Sequence, residues 1–159
     1  KVSTKDKYGA IDINGKLIVP VKYDDISEIT DSMIVADSGT VFSLFNYKGI
    51  RISSKKYHHI FIAEGIANCH GEGYCDYIRP DGSTILTVKP VRYGNLFSEG
   101  LAAVSFGADS NFNWGYINKE GKLVIDPYYE EAGPFENGKA KVKRKGVEFY
   151  INKMGRKVE

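Results

Sequence analysis

A short β-hairpin signature returns five times along this chain, each time centred on a glycine: Gly15, Gly49, Gly82, Gly121 and Gly155. The intervals are 34, 33, 39 and 34 residues, and periodicity on this scale marks a repeat architecture in which one supersecondary unit recurs. A residue that fills a slot in such a repeat is explained by packing first. Only residues left over after that discount are candidates for chemistry.

Set in register, the segments before the glycines read Tyr8-Gly9-Ala10-Ile11, Phe42-Ser43-Leu44-Phe45, Cys75-Asp76-Tyr77-Ile78, Trp114-Gly115-Tyr116-Ile117 and Glu148-Phe149-Tyr150-Ile151, each running into a polar turn. Asn14-Gly15 and Asp81-Gly82 predict type I′ turns, whereas Lys48-Gly49, Glu120-Gly121 and Met154-Gly155 suit a G1 bulge. β-Branched runs follow, such as Lys16 to Val19, Ile50 to Ser53 and Lys122 to Ile125. Pro20 and Pro127 should close two of them, because proline cannot donate to a ladder. A loop then carries Tyr23, Tyr57, Tyr93 or Tyr129. The next strands fall at Met33 to Ala36, Ile66 to Cys69, Leu101 to Ser105 and Lys139 to Lys143.

The natural unit is therefore a three-stranded antiparallel meander, repeated over about 1–31, 32–64, 65–99, 100–137 and 138–159 of one 159-residue domain. No helical period is sustained, although one or two helical turns are admissible at Asp24 to Glu28 or Tyr128 to Ala132. A single small sheet cannot bury its apolar face alone, so the units must stack. The expected fold is all-β, five tandem meanders stacked as a propeller-like ring or an open curved superhelix.

Composition narrows the function classes. With 22 Lys and Arg against 20 Asp and Glu, the formal net charge is +2, which gives no strong field for nucleic acid or an anionic membrane. Apolar runs of four or five residues fall far short of the roughly 20 that span a bilayer, so a soluble chain without membrane insertion is expected. Hydrophobic residues make up 42% of the chain, enough for a continuous core. Two cysteines are too few for a disulfide framework.

Trp114 to Ile125, followed by Tyr129 and Phe135-Glu136-Asn137-Gly138-Lys139-Ala140-Lys141-Val142, closely resembles the WG (or KWG) β-repeat of bacterial proteins. The first unit is similar through Tyr8-Gly9 and Asn14 to Pro20, the third through Phe97 to Val104. Phe42-Ser43 and Glu148-Phe149 depart from the Trp-Gly pair. The resemblance implies a β-repeat scaffold in a bacterium, leans toward an extracytoplasmic location, and brings no catalytic or cofactor-binding residue with it.

Several residues remain as candidates. Repeated tyrosines on one face could stack sugars or bases, which singles out Tyr23, Tyr57, Tyr93 and Tyr129; as repeat positions they are more readily explained as core or rim. Cys69 and Cys75 flank one hairpin and form either a cross-strand disulfide or a buried thiol pair. His58, His59 and His70 are zinc-type residues without a ligand spacing, so no metal site is expected. The acidic pairs Asp24-Asp25 and Glu130-Glu131 read as turn ties. Alternating Lys139, Lys141 and Lys143 put one face in solvent and read as edge-strand protection. The segment Gly107 to Asn113, with Asp109, Asn111 and Phe112, stretches one repeat interval and is a candidate contact loop.

No convergent nucleophile, base or metal can be assembled from these residues. The expected function is a non-enzymatic scaffold that binds an unidentified protein or peptide, with no cofactor and no nucleic acid. The alternative is carbohydrate or cell-wall binding through exposed tyrosines.

Overall fold

Alternating apolar and polar residues between glycine turns give strands throughout the computed structural model, which describes residues 1–89, 94–107 and 113–159. The strands form five antiparallel sheets. The first is β1 (Val2–Thr4), β2 (Lys7–Ile11) and β3 (Leu17–Tyr23); the second is β4 (Asp25–Ile29), β5 (Met33–Asp37) and β6 (Phe42–Asn46). The third comprises β7 (His59–Ala63), β8 (Ile66–Gly71), β9 (Tyr74–Ile78) and β10 (Thr84–Val88). The fourth is β11 (Leu101–Phe106), β12 (Asn113–Asn118) and β13 (Leu123–Tyr129). The fifth is β14 (Glu131–Glu136), β15 (Lys139–Arg144), β16 (Val147–Asn152) and β17 (Lys157–Val158). No helix occurs among the described residues.

Two compact units divide the chain: Lys1–Glu72 with Tyr77–Thr84, and Gly73–Asp76 with Ile85–Glu159. In the first unit, Ala10, Val19 and Tyr23 of the first sheet share a core with Ile26, Ile34, Ala36 and Phe45 of the second. Tyr23 meets Phe45 edge-on at 5.8 Å. In the second unit, Leu101, Ala103, Trp114 and Tyr116 of the fourth sheet pack on Phe135, Ala140, Val142 and Ile151 of the fifth. The Tyr116 ring lies 4.9 Å from Phe135, and its hydroxyl donates to the Gly133 carbonyl at 2.8 Å. Burial, then the neighbouring Tyr129, pushes the Tyr116 phenol well above its ordinary pKa, because a phenolate there would lose its water.

These contacts assign the faces. Successive strand residues point to opposite sides: within the first unit Ala10 faces the second sheet and Phe45 the first, and within the second unit Tyr116 faces the fifth sheet and Ile151 the fourth.

The WG glycines are explained by close approach. A Cβ on Gly115 would lie 2.5 Å from the Ile125 carbonyl oxygen and 3.0 Å from the Pro127 nitrogen; on Gly9 it would lie 2.5 Å from the Val19 oxygen. At both places the register shifts beside the glycine, so a bulge brings one strand over the other. This bulge also corrects the expectation for the prolines. β3 runs through Pro20 and β13 through Pro127, because a residue at a bulge need not donate to the ladder.

All five hairpin turns share one geometry. The glycine amide bonds back to the carbonyl three residues earlier, as in Gly15 to Asp12 and Gly155 to Asn152, and the glycine has positive φ. Neither Asn14 nor Asp81 has positive φ, so the type I′ expectation for those turns is replaced by a type I turn with a G1 bulge. Asp12, Asn46, Asn118 and Asn152 each accept two turn amides on a side-chain oxygen. That local acceptor favours type I over I′. Type I′ geometry instead serves Glu64-Gly65, Glu99-Gly100, Asn137-Gly138 and Lys145-Gly146, where both central φ values are positive.

Three further expectations are corrected. Asp24 to Glu28 and Tyr128 to Ala132 are extended rather than helical: β4 and β14 open the second and fifth sheets there, and β7 similarly opens the third. The Ile50 to Ser53 run is not a full strand, although Arg51 bridges to Phe45 and Ile52 donates to the Leu44 carbonyl. The lysine-rich strand β15 is central between β14 and β16, so its lysines do not guard a sheet edge. They cover an exposed sheet face over buried Ala140 and Val142.

Candidate interaction site

Strand β7 alternates around the buried Ile60, which turns His59 and Phe61 outward. Phe61 keeps 49% of its surface in solvent. Its ring stacks on His59 at 6.2 Å with 12° between planes, and His70 of β8 meets it edge-on at 6.4 Å. His70 lies directly across the ladder from His59. Phe42 of β6 extends the row, 6.0 Å from His59. Four flat rings thus line one surface of the first unit.

A cavity of about 180 Å³ opens beside them, lined by Ser27 and Glu28 of β4 with Phe42, His59, Ile60 and Phe61. Burial, then the charge of His59, holds the His70 imidazolium below its ordinary pKa, so this ring is neutral near pH 7. Aromatic rings beside one carboxylate suit an apolar or aromatic side chain with a polar or cationic neighbour.

Tyr23, Tyr57 and Tyr129 are buried. They fill the space between sheets, as Tyr23 against Phe45 and Tyr129 edge-on to Phe149 show, so they offer no open face for stacking a sugar. Tyr93 lies outside the described residues, as do Asp109, Asn111 and Phe112 of the candidate contact loop; Gly107 is exposed with φ 113°. Cys69 and Cys75 are completely buried thiols. Cys69 sits opposite Ile60 in the β7–β8 ladder.

The acidic pairs act as ties. Asp24 and Asp25 pair with Lys7 and Lys1. Glu131 pairs with Lys143 at 2.9 Å, and Glu130 accepts the Gly146 amide at 3.1 Å. Among the described residues no three His, Cys, Asp or Glu side chains converge on a metal-sized site, and no helix is long and apolar enough to cross a membrane.

Sequence reasoning noticed His58-His59 but missed Phe42 and Phe61. The available signal was the alternation His59-Ile60-Phe61, in which a large aromatic shares the outward side with a histidine.

Small antiparallel sheets recurring with one turn geometry and one inter-sheet packing define an all-β repeat protein. Residues 8–36 and 114–147 match the family model described as the WG containing repeat, so the chain carries WG repeats at these two places. No curated protein matches.

Among solved structures it is similar to Hsv2 from Kluyvelomyces marxianus, at 11% identity over 92% of this chain and 53% of that one, with a TM-score of 0.50. It is also similar to BamB from Moraxella catarrhalis, at 12% identity over 82% and 47%, TM-score 0.48. A third structure, KlHsv2 with loop 6CD replaced by a Gly-Ser linker, matches at 16% identity over 92% and 60%, TM-score 0.49. This chain thus spans 47% to 60% of the length of these structures. The likeness to Hsv2 is one of fold alone, to a propeller-like β structure.

Proposed function

We propose that this chain is a non-enzymatic interaction scaffold that binds a protein or peptide through the Phe42–His59–Phe61–His70 surface. The observation that carries the reading is Phe61, a large ring held half in solvent between two imidazoles, beside a cavity sized for a side chain. Aromatic anchors of this kind concentrate binding energy. Stacked meanders supply a rigid support for them, as in propeller-like and solenoid proteins generally. The partner fits the cavity with an apolar or aromatic side chain and sets a cationic or hydroxyl group toward Glu28. The burial of Tyr23, Tyr57 and Tyr129 weighs against the carbohydrate alternative.

Affinity capture from cell lysate and envelope fractions tests this, comparing the intact chain with Phe61→Ser and with the Gly107 to Asn113 loop replaced by a short glycine turn. Phe61→Ser should weaken capture of the same partner by about tenfold or more while leaving the melting temperature nearly unchanged, because the ring is half exposed. Capture that survives Phe61→Ser and disappears with the loop replacement would move the contact to that loop.

A further inference from the structure

Strands β4, β7 and β14 each stand at one end of a sheet and, among the described residues, pair on one side only, with β5, β8 and β15. An edge of this kind invites foreign pairing unless charge, proline or a bulge guards it. β4 carries Asp25 and Glu28 and shifts register between Ile26 and Glu28. β14 carries Glu131, Pro134 and Glu136 and shifts between Ala132 and Phe135. β7 reads His59-Ile60-Phe61-Ile62-Ala63, with no carboxylate, lysine, arginine or proline, and all five residues pair with β8 without a shift. It is the unguarded edge.

The hairpin that ends β7 fixes where its backbone groups point. Glu64 and Gly65 form a two-residue turn with φ of 50° and 76°. Residues flanking such a turn exchange both hydrogen bonds, as Ser98 and Leu101 do around Glu99-Gly100 at 2.9 and 3.2 Å. Ala63 and Ile66 are the corresponding pair here. Alternation along the ladder then turns the amide and carbonyl of Phe61 toward Asn68, and those of Ile60 and Ile62 away from β8.

The cavity of the Phe61 site runs along this edge. His59, Ile60 and Phe61 all line it, and a space bounded by three consecutive residues whose side chains alternate in direction follows the strand's backbone. Ser27 and Glu28, at the β4 bulge, line it as well.

We infer that the β7 edge pairs with an extended segment of a partner protein, which seats an apolar or aromatic side chain among Phe42, His59 and Phe61 and presents a lysine or arginine to Glu28. The inference rests on the Phe61 surface being the binding site and names the form the partner takes there. Strand addition draws affinity from main-chain hydrogen bonds and selectivity from alternate side chains. An extended chain offers N–H and C=O groups at the spacing of Ile60 and Ile62, about 7 Å along the strand. A second copy of β7 would match that spacing but brings no cation to Glu28.

The probe is a phage-displayed library of random linear nine-residue peptides selected on the intact chain, with enriched sequences synthesised and titrated by calorimetry. They should share a large apolar or aromatic residue and a lysine or arginine. Methylating single backbone nitrogens should weaken binding by about tenfold or more at every second residue paired with β7, and little at those between. On the protein, Ile62→Pro removes an outward N–H at an edge position where proline is tolerated; it should cost about tenfold in affinity, whereas Ile62→Val, which keeps the N–H, should cost little. Should Ile62→Pro lose its native circular dichroism spectrum, the methylation pattern decides. A peptide that needs Phe61 yet tolerates methylation throughout, or tolerates Ile62→Pro in a folded protein, would overturn the strand pairing and leave the Phe61 surface as the binding site. Peptides indifferent to Phe61→Ser would overturn both. An unenriched library, or self-association of the wild type that Ile62→Pro abolishes, would overturn the assignment to a partner's segment.

Discussion

Phe135→Ala is expected to destabilise the second unit by about 3–5 kcal/mol, the range for removing a fully buried aromatic ring from a core. Phe135 is 0% exposed and belongs to β14, yet its neighbours in the cluster include Leu101, Trp114 and Tyr116 of the fourth sheet. The substitution removes the ring against which Tyr116 packs edge-on. The fourth and fifth sheets would lose the centre of their shared core. Thermal unfolding followed by near-ultraviolet circular dichroism should show a fall of roughly 10 °C. A change below about 1 kcal/mol, the size of an ordinary surface effect, would mean that Phe135 does not sit between the sheets.

The second large effect comes from adding a single carbon. Gly115→Ala places a Cβ 2.5 Å from the Ile125 carbonyl oxygen and 3.0 Å from the Pro127 nitrogen, and both are backbone atoms that cannot rotate away. The bulge opposite Gly115 must open. Overpacking of this kind costs about 3 kcal/mol, and Gly9→Ala, which meets the Val19 carbonyl at the same distance, should behave alike. Gly100→Ala is the informative comparison. Among the described residues no atom lies within 4 Å of its added Cβ, and its φ of 85° resists the change, so about 1 kcal/mol is expected. Equal losses at Gly100 and Gly115 in urea unfolding would assign the WG glycine to backbone conformation rather than to close approach.

The repeat was legible because turn chemistry is local. A glycine that takes positive φ, preceded three residues earlier by Asp12, Asn46, Asn118 or Asn152, identifies a hairpin without knowledge of anything distant. The strand faces were equally legible from alternation at Ala10-Ile11 or Tyr116-Ile117. Non-local features were not. β4 begins Asp25-Ile26-Ser27-Glu28, a charged stretch whose pairing with β5 depends on a partner several residues away, and its composition fits a helical turn as well. Pro127 stays within β13 only because Gly115 lets the opposing backbone approach. Whether the lysines of β15 lie on an edge or a face depends on how many strands flank them, which a run of alternating residues does not encode.

The candidate site follows the same division. His59 and Phe61 share the outward side of β7 by alternation alone. Their meeting with Phe42 and His70 requires ladder register and sheet packing. The tyrosines of the repeat show the converse: Tyr23, Tyr57 and Tyr129 recur because they pack, and their burial removes them from binding. Phe61, which holds no recurring aromatic slot, keeps its ring half in solvent.

The turns at Gly49, Gly82, Gly121 and Gly155 each seat on the chain segment one repeat before them. Nuclear Overhauser spectroscopy on isotope-labelled protein tests it directly, through contacts between glycine α-protons and isoleucine side chains. Cross-peaks linking Gly49 to Ile18, Gly82 to Ile52, Gly121 to Ile85 and Gly155 to Ile125, with none from Gly15 to any isoleucine one repeat away, are the predicted pattern. Their absence at these four turns would contradict the stacking of each turn on the preceding repeat.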